Sequence, residues 1–360
     1  GGASFGYENK YSRPGVNVSR YANPAIGWEK SRKANFALEA SFYGFDLIAE
    51  YFTEHRTDIL QKRASIPSVM GYQADVYANI GETKGHGVDL DLKYQKNLNK
   101  NAFLIVRGNL TYAHSEYLKY EDNTYDKEWW KYKIGYSPNQ KWGYIAEGLF
   151  IDDAEVANSP VQFGDYKAGD IKYKDLNNDG QIDAYDQTYI SRGDVPTTVY
   201  GFGFTVGWKD LSVGMMFQGV AGAERVLNGS SVNPFNGGGG SGNLYSNIGD
   251  RWTEENPDQN AFYPRLSYGS ETTSNINNFQ KSTWWVRNMN FLRLKTLQIS
   301  YNLPKPWVNK VHLKNAAVYV MGTNLFTLSR FKLWDPELNT DNGASYPNTT
   351  SYSVGINFTF

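Results

Sequence analysis

Cysteine is missing from all 360 residues. Disulfide staples and thiolate metal sites are therefore excluded, and the absence suits a chain exported through an oxidising compartment. Long apolar runs are missing too. No stretch approaches the roughly 20 consecutive apolar residues of a spanning helix, which excludes a helical membrane protein. Neither sign of charge is in excess. With 36 Lys plus Arg against 37 Asp plus Glu and no basic run, nothing draws nucleic acid, and it is not an expected partner. Histidine is scarce: His55, His86, His114 and His312 fall in different segments and form neither an H-E-x-x-H motif nor a close metal-ligand pair.

What the chain has instead is aromatic residues and glycine. Only 40% of it is AVILMFWYC, yet 16% is aromatic, with 27 Tyr, 19 Phe and 10 Trp beside 35 Gly. Aromatic girdles and small lumen-facing residues would account for both in a transmembrane β-barrel. The last ten residues, Ser351 to Phe360, read SYSVGINFTF. Tyr352, Val354, Ile356, Phe358 and Phe360 fall on one side of a period-two chain, and Ser351, Ser353, Gly355, Asn357 and Thr359 on the other. In a barrel the first set meets lipid and the second a wet lumen. The alternative is an edge strand of a soluble sandwich.

Period-two runs recur in pairs. Ala34, Phe36, Leu38, Ala40 and Phe42 alternate with mostly polar neighbours and, after a turn at Tyr43 and Gly44, Phe45, Leu47, Ala49 and Tyr51 do the same. Val88 to Tyr94 pairs with Leu104 to Tyr112 across a polar turn at Asn97 to Asn101. Tyr200 to Trp208 pairs with Leu211 to Phe217 across Lys209 and Asp210. Leu297 to Tyr301 pairs with about Asn315 to Thr323 across Pro304 to Lys314, and the slip in parity between Leu294 and Leu297 predicts a bulge. Short turns lie inside the pairs, and long stretches at about 53–85, 113–197, 220–290 and 324–350 lie between them. This is the alternation of short periplasmic turns and long extracellular loops in outer-membrane barrels; four structureless loops of this length do not suit a soluble domain.

The count is about nine strands, all antiparallel. With the last strand running down to a periplasmic end, residues 1–33 are expected to be an extracellular loop. Single-chain bacterial barrels have an even number of strands with both ends periplasmic, so 1–360 reads as the C-terminal portion of a longer barrel, with 34–360 its strands and loops.

Several sequence words then resemble the SusC/RagA-like family of TonB-dependent outer-membrane transporters along nearly the whole chain. They include NPAIGWEKSRKANFAL at 23–38, YANIGETKGHGVDLDL at 77–92, GDIKYKDLNNDGQIDAYDQTYI at 169–190, MFQGVAG at 216–222, RWTEENPD at 251–258, YPRLS at 263–267, FLRLKTLQISYNLP at 291–304 and VYVMGTNLFTLSRFKLWDPEL at 318–338. The resemblance implies a 22-stranded barrel filled by an N-terminal plug, lidded by a SusD-like lipoprotein and energised by TonB-ExbB-ExbD. It also implies active import of an oligosaccharide or peptide across the outer membrane of a Gram-negative bacterium. The plug, the TonB box and the N-terminal half of the barrel are not in this sequence and would be partners of it, as would outer-membrane lipid. The competing readings are a self-contained passive porin and an outer-membrane hydrolase, the latter unsupported by any nucleophile motif.

Three groups of residues are candidate sites. Asp175, Asn177, Asp179, Gln181, Asp183 and Asp186 occupy positions 1, 3, 5, 7, 9 and 12 of a calcium-type loop, with Gly180 at the sharp turn and Ile182 as an anchor. Asp186 replaces the usual Glu, and the flanking GDIKYK reads as a strand. Structural Ca2+ and a metal-free acidic turn closed by Asx hydrogen bonds are both open. Trp129, Trp130, Trp142, Trp284 and Trp285, with Tyr132, Tyr136 and Tyr144 nearby, offer faces that can stack on a sugar ring or a peptide side chain; they can equally form a girdle or pack the loops. Glu39, Asp89, Asp91, Arg107 and Gln298 are expected to face the lumen, where they line a pore, touch the plug or are simply solvated. Gly237 to Gly240 reads as a flexible loop tip without phosphate-site context.

Overall fold

Two-residue turns decide how the strands pair. In the computed structural model, which describes residues 2–15, 18–122, 128–229, 232, 234, 244–267 and 276–360, Tyr43 and Gly44 both take positive φ, 48° and 86°. A tight hairpin needs that backbone to match the right-handed twist of its strands. These two residues join β1 (Lys30–Phe42) to β2 (Phe45–Lys62). Lys100 and Asn101 join β3 (Tyr77–Asn99) to β4 (Ala102–Lys119). Lys209, at φ 54°, and Asp210 join β5 (Thr198–Trp208) to β6 (Leu211–Ala221). A short helix, Lys305–Lys310, connects β7 (Phe291–Asn302) to β8 (Asn315–Ser329), and β9 (Ser351–Thr359) closes the series.

Each strand pairs with its chain neighbours, giving a nine-stranded meander in the order β9 to β1. The expected pairs and their number are therefore present. No helix among the described residues is long and apolar enough to cross a membrane.

The chain forms two compact units, Gly1–Ala34 with Phe52–His86 and Ser115–Pro138, and Asn35–Tyr51 with Gly87–His114 and Asn139–Phe360. In the first, the strands outrun expectation. The segment 53–85, expected as a loop, is strand up to Lys62 and again from Tyr77. Its apolar alternation fades because its contacts are ionic: Arg56 pairs with Glu54 on its own strand at 2.7 Å and with Glu29 at 3.0 Å, Lys30 with Asp58 at 2.8 Å and Arg63 with Glu121 at 2.8 Å. A ladder outside lipid needs no greasy face, so period-two hydrophobicity stops before the strand does. Residues 1–33 are also not merely loop. Gly2–Phe5 pairs with Tyr11–Pro14 in a separate two-stranded sheet, and β1 begins at Lys30.

In the second unit the register sorts β4 to β9 into two faces. One row crosses the sheet as Leu104, Val206, Val213, Ile299, Val320 and Val354. The row one residue along reads Ile105, Thr205, Gly214, Gln298, Met321 and Ser353 on the opposite face. The expected bulge is real: pairing shifts between Leu294 and Thr296 on β7 against both neighbouring strands. Skipping Lys295 leaves Leu294 opposite Phe217 and Phe326, and Leu297 opposite Met215, all on the apolar face. Much of that face is exposed, from Phe204 and Ile299 to Tyr352 and Val354, each 75% accessible on β9, while Leu294 beside the bulge is buried. A wall of a transmembrane β-barrel presents this surface to lipid.

The buried core lies in the long loops. Tyr144, Ile171, Tyr173, Leu227, Tyr263 and Trp285 are its centre, supported by short pairings of 141–143 with 188–191, 146–149 with 171–173, and 224–226 with 286–288. The described residues of 144–334 that form this core are thus packed rather than structureless.

Candidate functional site

Loops of this length hold together only if their buried backbone groups are satisfied. Asn277 and Asn278 do much of this. The Asn277 side-chain Nδ2 donates to the Ile171 carbonyl at 2.6 Å, while the Asn278 side-chain Oδ1 accepts from the Ile171 N–H at 2.9 Å. Tyr173 Oη donates to the Asn277 carbonyl at 2.7 Å, and Trp285 Nε1 donates to the Asn278 carbonyl at 2.9 Å. Asn278 Nδ2 also donates to Asp170, which is fully buried and paired with Arg265 at 2.7 Å. Burial raises the Asp170 carboxyl above its ordinary range, against the pull of Arg265.

A second polar clamp ties the 330–350 segment down. Arg293, fully buried on β7, donates to Thr327 on β8 at 2.9 Å, to Glu337 at 2.8 Å and to Asp335. Arg225 donates to Asp341 at 2.9 Å and Asn339 at 2.8 Å. Sequence reading singled out none of Asp170, Arg225, Arg265, Asn277, Asn278 or Arg293 as site residues. Their partners lie tens of residues away, and no local pattern marks the pairing.

The acidic loop has the turn expected of it. Gly180 sits at φ 86° and Asn178 at φ 60°, and Ile182 is buried in the loop core. Its side chains, however, close on backbone N–H groups. Asp175 accepts from Asn178 at 2.6 Å and Gly180 at 2.8 Å; Asn177 accepts from Asp179 at 3.0 Å; Asp179 accepts from Gln181 at 2.9 Å. Asp183 accepts from Tyr185 at 2.7 Å. Asp186 is buried, with one oxygen taking the Leu176 N–H at 2.8 Å and the other the Asp183 N–H at 2.9 Å. That is the geometry of the Asx-closed alternative. Among the described residues no three carboxylates or imidazoles converge on a common centre.

The tryptophans divide. Trp129 is 72% exposed and meets Trp130 edge-on at 6.1 Å. Trp142 is half-buried in the 141–143 strand. Trp285 is only 2% exposed and belongs to the loop core, so its expected role as a ligand-stacking face is corrected to packing. Trp284 lines a cleft. Glu39 on β1, and Asp89 and Asp91 on β3, alternate with exposed Leu38, Leu90 and Leu92, which puts them on the face away from the apolar one. Arg107 stands opposite Gly203 and lines a concavity of about 470 Å³ with Thr205, Thr296 and Gln298 on the polar face of the wall. Gly237 to Gly240 lie outside the described residues.

Two clefts open in the loop core. The larger, about 780 Å³, is lined by Glu147, Glu155, Lys172, Asp250, Trp284 and Arg287 among others. The smaller, about 430 Å³, is lined by Tyr245, Phe331, Arg330 and Lys332. Phe262 and Arg287 line both. The Arg287 guanidinium lies over the Phe262 ring at 4.5 Å and donates to the Trp284 carbonyl at 2.6 Å, and burial lowers its pKa.

Comparison with known proteins gives a consistent result. No protein-family model matches the sequence. A TonB-dependent receptor of Formosa agariphila is 28% identical over 98% of this chain, and the TonB-dependent receptor SusC of Bacteroides thetaiotaomicron is 22% identical over 94%. The RagAB peptide transporter structure superposes over 100% of the chain with a TM-score of 0.71 and 25% identity. The chain is homologous to the SusC-like TonB-dependent receptors. It spans about a third of their length: 37% of the Formosa receptor, 32% of SusC and 38% of the RagAB chain. These relatives are named as receptors and transporters, not enzymes. The nine-stranded wall and its packed loops are accordingly part of a transmembrane β-barrel.

Proposed function

We propose that residues 1–360 are the C-terminal barrel portion of an outer-membrane importer of an oligosaccharide or peptide nutrient. TonB-ExbB-ExbD would drive it through a plug carried elsewhere in the polypeptide, and a SusD-like lipoprotein would cover it. The observation that carries this reading is the match to the RagAB peptide transporter along the whole chain, wall and loops together. In this assignment β1 to β9 supply wall and lumen surface, with Glu39, Asp89, Asp91 and Arg107 on the wet side, while the loop core supplies the extracellular surface that meets substrate and lid. TonB-dependent uptake of labelled nutrient by cells, together with a co-purifying lipoprotein, tests it. A protein of this chain's own mass that conducts ions without partners would favour the passive porin instead.

Donor spacing supports a calcium clip at 175–186, with side chains turning from their N–H partners onto the ion. Calcium titration of loop protease resistance tests that role. An unchanged cleavage pattern, or an Asp179→Ala variant that responds like the parent, rejects it.

A further inference from the structure

The two clefts that share Phe262 and Arg287 carry opposite charge. Glu147, Glu155 and Asp250 line the larger beside a single lysine, Lys172, which is 2.9 Å from Glu155 and 3.9 Å from Glu147. Arg330 and Lys332 line the smaller, which has no carboxylate among the described residues of its wall. Neither of these two cations makes an ion pair among the described residues, nor does Arg287 at the junction, whose mapped hydrogen bonds go to backbone carbonyls. A guanidinium withdrawn from water with no counter-charge is costly unless an anion completes it. Its flat fork suits a carboxylate. Tyr245, Phe262 and Phe331 give the cationic cleft an apolar floor.

We propose that the paired clefts form one groove for a zwitterionic ligand, a short peptide with free termini. Its ammonium lies toward Glu147, Glu155 and Asp250, and its carboxylate toward Arg287, Arg330 and Lys332. This rests on the importer reading and selects peptide within it. A neutral oligosaccharide gains nothing from separated charge, and a polyuronate would meet repulsion in the larger cleft. The apolar floor beside the cations suits a hydrophobic side chain at the peptide's C-terminal residue.

The test uses the full-length purified receptor and calorimetric titration with the tetrapeptide alanyl-alanyl-alanyl-phenylalanine. Acetylating its amine or amidating its carboxylate is expected to weaken binding about tenfold each, the scale of one lost charge-assisted contact. Arg330→Gln with Lys332→Gln, both exposed and without an ion-pair partner among the described residues, should reduce the amidation effect, with Arg287 still in place, and keep the acetylation effect; Glu147→Gln should reduce only the latter. Equal binding of free and doubly capped peptide, no binding of either, or tighter binding of a neutral tetrasaccharide would overturn the proposal. TonB-dependent uptake of an oligosaccharide with indifference to the caps would sink the groove and leave the importer standing. Cap-dependent binding without TonB-dependent uptake would support the groove and sink the importer.

Discussion

The wall and the loop core obey opposite burial rules within one unit. On β9, Tyr352 and Val354 are three-quarters exposed, while Ile171 and Tyr173 in the loop core have no accessible surface. In water the first arrangement would be unstable, because contiguous exposed apolar surface of this extent is removed by association. In a bilayer it is the stable one, and the backbone is satisfied by the ladder alone. The loop core folds like a small soluble domain, with aromatic packing and with its buried charges, Asp170 and Arg293, paired. One sequence thus meets two solvents, and each substitution should be felt according to which solvent its site faces.

Arg293→Ala should have the largest effect, since it leaves Asp335 and Glu337 without their buried partner, at a cost of about 3–5 kcal/mol. Proteolysis within 330–350 should accelerate while the unboiled receptor keeps the gel mobility of a folded barrel; joint loss of both would break the distinction between wall and loop core. Next comes Phe204→Arg on the apolar face, expected to cost about 2–4 kcal/mol in lipid-refolding titrations if that face lies near the bilayer midplane. Thr205→Arg, one residue along, should be tolerated, and equal damage at both sites would reject the assignment of faces. Asn278→Ala should cost roughly 1–3 kcal/mol through unsatisfied groups at Ile171 and Asp170. Protease resistance of the loop core reports it.

The wall was legible because its rule is local. Alternation at period two gave the nine strands, the turns at Tyr43–Gly44 and Lys209–Asp210, and the bulge beside Lys295. It failed at 53–62 and 77–87, where ion pairs such as Lys30–Asp58 and Lys119–Glu82 replace the apolar face. The loop core was legible only as isolated words. Asp170 lies in GDIKYK, Arg265 in YPRLS, Arg293 in FLRLKTLQ, and Asp335 and Glu337 in LWDPEL; each word holds half of a buried contact whose other half is far along the chain. Trp285 was misplaced for the same reason. An aromatic before a strand looks alike in sequence whether it faces a ligand or, as here, Tyr263 and Asn278.

The smallest expected effect is on pH, and it separates two carboxylates inside the loop core. The Glu155 carboxylate accepts the Ile151 N–H at 2.8 Å and pairs with Lys172, and these contacts hold its pKa below the ordinary range. Its stabilisation is present above the unfolded pKa and is lost as pH falls through the lower folded value. Asp170 has the reverse sign. Burial lifts its folded pKa, so the cost of its charge is present above that value and disappears as pH falls toward the unfolded one. The two windows are successive: the cost at Asp170 is relieved as pH falls toward the ordinary carboxylate range, about pH 4, and the stabilisation at Glu155 is lost only as pH falls below it. Wild-type loop protection should rise on mild acidification and fall below about pH 4. Glu155→Gln removes the loss at low pH and should leave only the rise, while Asp170→Asn removes the rise and should leave only the fall. Parallel profiles in both variants would show that the buried carboxylate is no different from the half-exposed one, and would place the pH response outside the packed core.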